Sequence, residues 1–415
     1  MNKLSQLIKE LCPDGVKVVR IGDICSIERG RVYSKSYVRQ NPGPYPLYSS
    51  QTANNGVLGN ISTFNYDGEY VNWTTDGAYA GRVFYRKGKF SITNVSGLLK
   101  PAKELSAKFL MYILQVTTQK YVNQGMGNPK LMSNVMAQIE IPLPPLEIQN
   151  EIVRILDNFT ELEAELEAEL EAELEARTQQ YEYYRNKLLD FSNGYVGVPK
   201  IDRLIKELSP NTVDYKEISE LGFLYGGMSG KTKDDFNKGD SKYITYMNVY
   251  TNPATKIDVS DYVNILPNEN QNKISYGDVI FTGSSETPEE CGMSSVVVEQ
   301  TKEDIFLNSF CFAFRPKKGL YNPHFLKHLF RSSEIRKKIG TTANGVTRYN
   351  VSKKLFAKVK IPVLPIEIQN EIVKILDSFS ELVTSISEGL PAEIKARKQQ
   401  YEYYRNKLLT FEELQ

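Results

Sequence analysis

The chain has 415 residues, with 51 Lys and Arg against 50 Asp and Glu, two His and four Cys. That length admits two or three domains, and no run of 18 apolar residues is present to cross a membrane. Cys12, Cys25, Cys291 and Cys311 have neither metal-site nor disulfide-scaffold spacing, and residues 1–10 lack a signal-peptide core, so a reduced, cytoplasmic protein is expected.

In chain order, a short amphipathic helix stopped by Pro13 comes first, and its Leu7–Pro13 segment returns at Leu204–Pro210, offset by 197 residues. A variable region follows. Strand-like runs are predicted at Val16–Ile21, Gly56–Ile61, Tyr70–Trp73, Gly81–Tyr85 and Ser91–Leu99, with a helix at Ala107–Tyr121. After a glycine loop (Gly125–Lys130) and the Pro144-Pro145 punctuation, apolar residues at helical spacing begin at Leu146. Nothing breaks that helix before about Leu189, giving roughly 43 residues or about 65 Å.

Inside it lie four tandem ELEA tetrads, Glu161 to Ala176. Leu162, Leu166, Leu170 and Leu174 form a slowly rotating stripe, flanked by two columns of glutamates with no lysine between them. Such a segment needs a partner surface, preferably basic. The second half repeats this plan at an offset of 220: residues 361–382 match 141–162 at 16 of 22 positions, and 397–411 match 177–191 at 13 of 15. Leu382, Ile386, Leu390 and Ile394 align with the four leucines, while Gly389 and Pro391 should kink or briefly interrupt the second helix. Antiparallel packing would bring Lys395, Arg397 and Lys398 to the start of the ELEA run. The second variable region predicts strands at Tyr243–Val249, Asp278–Thr282, Ser294–Val298 and Phe310–Phe314, and a helix at Pro323–Ile339.

The layout is an α+β chain: two unlike strand-rich regions (1–145 and 193–365) alternating with two like helices (146–192 and 366–415), related by an internal repeat. Charge follows it. Residues 1–145 carry 17 basic and 9 acidic side chains and residues 196–365 carry 24 and 19, whereas 146–195 carry 4 and 13 and 366–415 carry 6 and 9. Basic variable regions joined by acidic helices point to a polyanion for the former and protein contacts for the latter.

Loop side chains able to hydrogen-bond base edges or phosphates are the DNA-contact candidates. In the first region they are Arg29, Arg31, Tyr33, Lys35, Ser49, Ser50, Gln51, Asn54, Asn55, Thr74, Thr75, Asp76, Tyr79, Arg82 and Lys130. In the second they are Lys231, Thr232, Lys233, Tyr246, Asn248, Ser284, Ser285, Glu286, Asn308, Ser309, Arg348 and Tyr349. Two motifs fail inspection. The run Tyr225–Thr232 lacks the first glycine of a phosphate-binding loop, and His324 with His328 has no third metal ligand. No catalytic triad or marked acidic pair is evident.

Two dissimilar regions between repeated helices ending in IPLPPLEIQNEIVRILD and QYEYYRNKLL resemble the specificity subunit of type I restriction–modification systems, along the whole chain. The resemblance implies two target recognition domains, each reading one half of a split site on double-stranded DNA. It implies an antiparallel spacer of two helices that binds two methyltransferase subunits and, through them, restriction subunits. S-adenosylmethionine would belong to the methyltransferase, which modifies adenine N6. This chain would bind no cofactor and catalyse nothing. The partner-facing positions would be Gln149, Asn150, Tyr181, Tyr184 and Arg185 with their copies Gln369, Asn370, Tyr401, Tyr404 and Arg405. Two other readings remain open: a stand-alone DNA-modifying enzyme, and a coiled-coil interaction protein that does not bind DNA.

Overall fold

The computed structural model describes residues 3–51, 53–125, 127–210 and 213–412, leaving out the side chains of Asn237 and Lys238. Met126, within the expected glycine loop, lies outside the described residues. Two units emerge: residues 1–169 with 391–415, and residues 170–390. Each long helix is therefore divided between them.

In the first unit a six-stranded sheet has the order β2-β7-β5-β6-β3-β4. Its strands are β2 (Cys25–Arg29), β3 (Pro42–Tyr48), β4 (Val57–Ile61), β5 (Tyr66–Thr74), β6 (Val83–Ile92) and β7 (Ser96–Pro101). All neighbours are antiparallel except β3 and β6. The expected run Ser91–Leu99 is broken, because Ser96 N–H bonds back to the Thr93 carbonyl and turns β6 into β7. Trp73 anchors the core, its indole donating to the Leu131 carbonyl at 2.9 Å. A Cβ at Gly97 would lie 2.1 Å from that ring, so only glycine fits beside it. A short ribbon, β1 (Val18–Arg20) with β8 (Glu140–Pro142), places the entry of the region beside its exit, Val19 opposite Ile141.

The second unit repeats that ribbon as β9 (Asp214–Glu217) and β20 (Lys360–Val363), with Lys216 opposite Ile361. These residues stand 197 and 220 positions after Val19 and Ile141, so both sequence offsets meet in one piece of geometry. Between them lie β10 (Gly222–Gly226), β11 (Phe236–Ile244), β12 (Tyr262–Val263), β13 (Val279–Thr282), β14 (Ser284–Ser285), β15 (Ser294–Val296), β16 (Ile305–Leu307), β17 (Cys311–Pro316), β18 (Ala343–Asn344) and β19 (Tyr349–Val351). They form sheets ordered β10-β17-β13-β15, β12-β11-β16 and β14-β19-β18. Two expectations change here. The run Tyr243–Val249 leaves β11 at Ile244 and becomes a helix, because the Thr245 hydroxyl caps Asn248 N–H. The helix expected over Pro323–Ile339 is two, Pro323–Leu329 and Ser333–Gly340, separated where half-buried Arg331 bonds the Ser294 carbonyl.

The long helices are Leu146–Leu188 and Ile366–Leu408, 43 residues each. The second runs through Gly389 and Pro391, so the brief interruption that the sequence allowed there does not occur. Proline removes one N–H donor there, and the turns on either side continue the ladder. In the first unit the helix segments are antiparallel: Phe159 stacks on Tyr404 with ring centroids 5.9 Å apart, and Glu167 pairs with Lys398 at 3.1 Å. The lysine meets the second ELEA tetrad, as the charge pattern requires. The ELEA leucines are only partly covered, Leu162 remaining 61% exposed.

Candidate nucleic-acid interface

One small motif occurs in both units. In the first, the end of β5 pairs with a hairpin: Leu131 N–H bonds the Thr75 carbonyl, Gly77 N–H the Pro129 carbonyl, and Asn123 pairs with Lys130 in both directions. In the second, Ser284 and Ser285 pair with Asn350 and Tyr349, and Asn344 pairs with Asn350 across the same kind of hairpin. Gly125 and Gly345 occupy equivalent positions 220 residues apart. Beyond them the tips differ: Gly127, Asn128 and Pro129 in one, Thr347, Arg348 and Tyr349 in the other.

In the second unit, Tyr246, Ser284, Ser285, Glu286 and Arg348 line a single cleft, together with Met247, Tyr250, Glu290 and Thr347. No motif in the sequence singles out those last four. Tyr246 donates to the Ser284 carbonyl at 2.7 Å, and the Arg348 guanidinium holds the Ser284 hydroxyl through Nε at 3.2 Å and Nη2 at 3.1 Å. Tyr349 is half-buried on β19. Other candidates serve the fold. The Lys231 side chain is 4% exposed and paired with Glu269 at 2.5 Å, which holds it to the fold. Asn248 is occupied by the backbone of Lys256, through Nδ2 and Oδ1. Thr232 bonds Asp235, and Asn308 Oδ1 caps Phe310 N–H. Lys233 and Ser309 are exposed but do not line the cleft.

In the first unit, Thr74 and Thr75 are fully buried. The Thr74 hydroxyl donates to the Tyr79 carbonyl and accepts from Arg82 N–H, closing the turn, so these threonines shape the loop. Thr75 donates to Asp76 at 2.6 Å. Tyr79 and Arg82 are exposed and stacked, the guanidinium 4.3 Å from the ring centre, in a groove with Gln115, Gln119, Glu402 and Arg405. Lys130 stands exposed on the hairpin, and Arg31 and Lys35 are exposed nearer the N-terminus. Arg29 holds the Asn94 carbonyl, Tyr33 the Asn65 side chain, and Gln51 the Val57 carbonyl. Ser49 accepts from Thr93, and Ser50 is half-buried. Asn54 and Asn55 are exposed in left-handed backbone, φ 49° and 52°, a conformation asparagine tolerates.

The expected partner surface changes more. Gln149 is fully buried: its Nε2 donates to the Pro144 and Glu104 carbonyls and its Oε1 accepts from Ser106 N–H. Gln369 repeats this with Leu364, Leu320 and Asn322. Both fasten a long helix to its own unit and are buried within it. Tyr181 also turns inward, its hydroxyl 2.8 Å from His328 Nδ1, with Arg185 over its ring. Tyr401 packs on the first core with Arg405 over it. Asn150 and Asn370 are exposed, though Asn370 accepts from Asn322. Tyr404 is exposed and Tyr184 half-buried, each stacked on a phenylalanine, Phe159 or Phe379. Tyr183 and Tyr403, not singled out by the sequence, are 60% and 62% exposed.

Behind the second helix segment, Asp377 gathers Lys327, His328 and His324 at 2.6, 2.7 and 3.2 Å. Burial lowers the His328 pKa to about 4 despite the carboxylate, since Lys327 already balances that charge. Asp377 is half-buried, which opposes ionisation, yet the His328 and Lys327 hydrogen bonds win and hold its pKa far below the usual range. In the first unit Asp157 takes Lys108 and Tyr112 instead, at 2.5 and 2.8 Å.

No helix among the described residues is long and apolar enough to cross a membrane. The family model of the type I restriction modification DNA specificity domain matches twice, at residues 13–176 and 210–396. A putative type I specificity subunit of Mycoplasma pneumoniae is 30% identical over 96% of this chain and 99% of its own length. The MpnII specificity subunit of that organism is 46% identical over 41% of this chain and 52% of its own. A solved chain from a study of type I restriction–modification complex assembly has a TM-score of 0.66 at 16% identity, covering 96% of this chain and 98% of that one. The HsdS subunit of Thermoanaerobacter tengcongensis follows at 0.56, 16% identity, 96% and 97% coverage. The repeated frame with its unlike tips thus belongs to a known protein type: this chain is a member of the type I restriction modification DNA specificity family.

Proposed function

We propose that the chain is the specificity subunit of a type I restriction–modification complex, reading a split duplex-DNA site with one half per unit. The observation that carries this is the paired hairpin motif: one backbone frame, repeated at the 220-residue offset, displays different side chains in the two units. A reader needs a constant mount and a variable tip. Exposed Tyr183 and Tyr403, with the stacked Tyr184–Phe379 and Phe159–Tyr404 pairs, form two equivalent apolar patches suited to two methyltransferase subunits. Those subunits carry S-adenosylmethionine and recruit the restriction subunits, and the chain itself performs no chemistry.

Coexpression with its methyltransferase subunit, followed by modified-base sequencing of the host DNA, tests the reading. The expected product is N6-methyladenine in a two-part motif with a fixed gap. Replacing residues 15–140 by another recognition region should alter one half alone, and a change in both halves would refute separate readers. Methylation or cleavage by the purified chain without partners would favour an enzyme instead.

A further inference from the structure

The cleft at the second hairpin has a chemistry that phosphate binding does not explain. Arg348 stands at the tip, but Glu286 is exposed at the same cleft and makes no hydrogen bond or ion pair among the described residues. Glu290 also lines it, its carboxylate accepting from Tyr250 and Thr287. Carboxylates beside the cation repel a phosphate backbone. Base edges present donors and acceptors side by side, and a mixed cleft matches them.

The geometry points to Arg348 as the side chain that reads guanine in the half-site of the second unit, with Glu286 accepting from an exocyclic amine of a base beside it. This rests on the specificity-subunit reading given above. Both groups are held in place. Nε and Nη2 of Arg348 share the Ser284 hydroxyl, leaving the outer guanidinium hydrogens for the O6 and N7 acceptors of guanine. Ser284 is itself fixed by the backbone ladder to Asn350 and by Tyr246 on its carbonyl. Gly345 sets the hairpin: its φ is +148°, and a Cβ there would come within 2.0 Å of the Arg348 carbonyl oxygen. The loop carrying Glu286 is pinned by half-buried Arg336, which donates to the Glu289, Cys291 and Gly292 carbonyls. A reader fixed in advance loses little freedom when DNA arrives.

Modified-base sequencing of cells coexpressing the methyltransferase subunit with wild type, Arg348→Ala, Arg348→Lys or Glu286→Gln decides it. Arg348→Ala should keep the half-site of the first unit and lose guanine discrimination, by about tenfold or more, at one position of the other half. Arg348→Lys should keep part of that preference, and Glu286→Gln should relax a different position of the same half. An unchanged motif in Arg348→Ala overturns the assignment, as does a uniform fall in methylation with the motif intact, which marks a phosphate contact. In both cases a split wild-type motif leaves the subunit role standing. A wild-type chain that directs no split motif removes that role, and the assignment with it.

Discussion

Gln149 and Gln369 show what a single buried amide can do for a frame. Each closes three hydrogen bonds between the start of a long helix, the turn before it and a loop more than forty residues away. Gln149→Leu would leave Ser106 N–H and two carbonyls without partners in a dry site, and should cost about 2–4 kcal/mol in urea unfolding. The sequence shows these glutamines repeating, and repetition fits an interface as well as a fastening. Only the long-range packing tells them apart. For the same reason the sequence does not distinguish Thr74, Thr75 and Lys231, whose side chains are buried, from exposed Tyr183 and Tyr403, because burial is decided by residues distant in the chain. His328 carries a second prediction. Its folded pKa of about 4 lies below the unfolded value near 6.5, so its contribution is full above that value and is lost as pH falls toward 4. Thermal unfolding of the wild type should therefore lose roughly 3 kcal/mol across this window. His328→Gln, which cannot take up a proton beside Asp377, Lys327 and Arg185, should flatten it.

Among the elements, the first long helix is the most legible part of the sequence, because nothing breaks its apolar periodicity over 43 residues, whereas Gly389 and Pro391 hide the continuity of the second. The strands were less so. Short apolar runs such as Tyr243–Val249 carry a helix cap inside a strand-like composition, and Thr245 decided the outcome. Under the proposed function, the ELEA run would act as a spacer, which its tetrad count makes testable. Four residues add about 6 Å to a helix, or one to two base pairs of duplex at ~3.4 Å each. Deleting one tetrad should shorten the gap in the methylated motif by one or two base pairs and leave both half-sites unchanged. Modified-base sequencing reads this directly, and altered half-sites with an unchanged gap would refute it.

For the whole molecule, the internal repeat matters most for assembly. Lys3–Glu151 in the first unit is repeated by Lys200–Glu371 in the second, and Phe159–Tyr404 by Phe379–Tyr184. Two equal frames should take two equal partners. Tyr183→Glu or Tyr403→Glu alone should halve the methyltransferase recovered per chain in co-purification, and the double variant should recover almost none while keeping the wild-type circular dichroism. Equal recovery by all three would place the partner elsewhere.

The first unit is assembled from both ends of the chain. Leu409 belongs to the same core as Leu4 and Trp73, and Val16 N–H bonds the Glu412 carbonyl at 2.9 Å. The ribosome therefore completes the second unit, a continuous stretch of sequence, before the first can close. At ~5–20 residues per second the intervening 170–390 segment takes about 10–45 s to synthesise. For that interval the emerging N-terminal region waits with its apolar seam uncovered, the period in which a chaperone would have most to do.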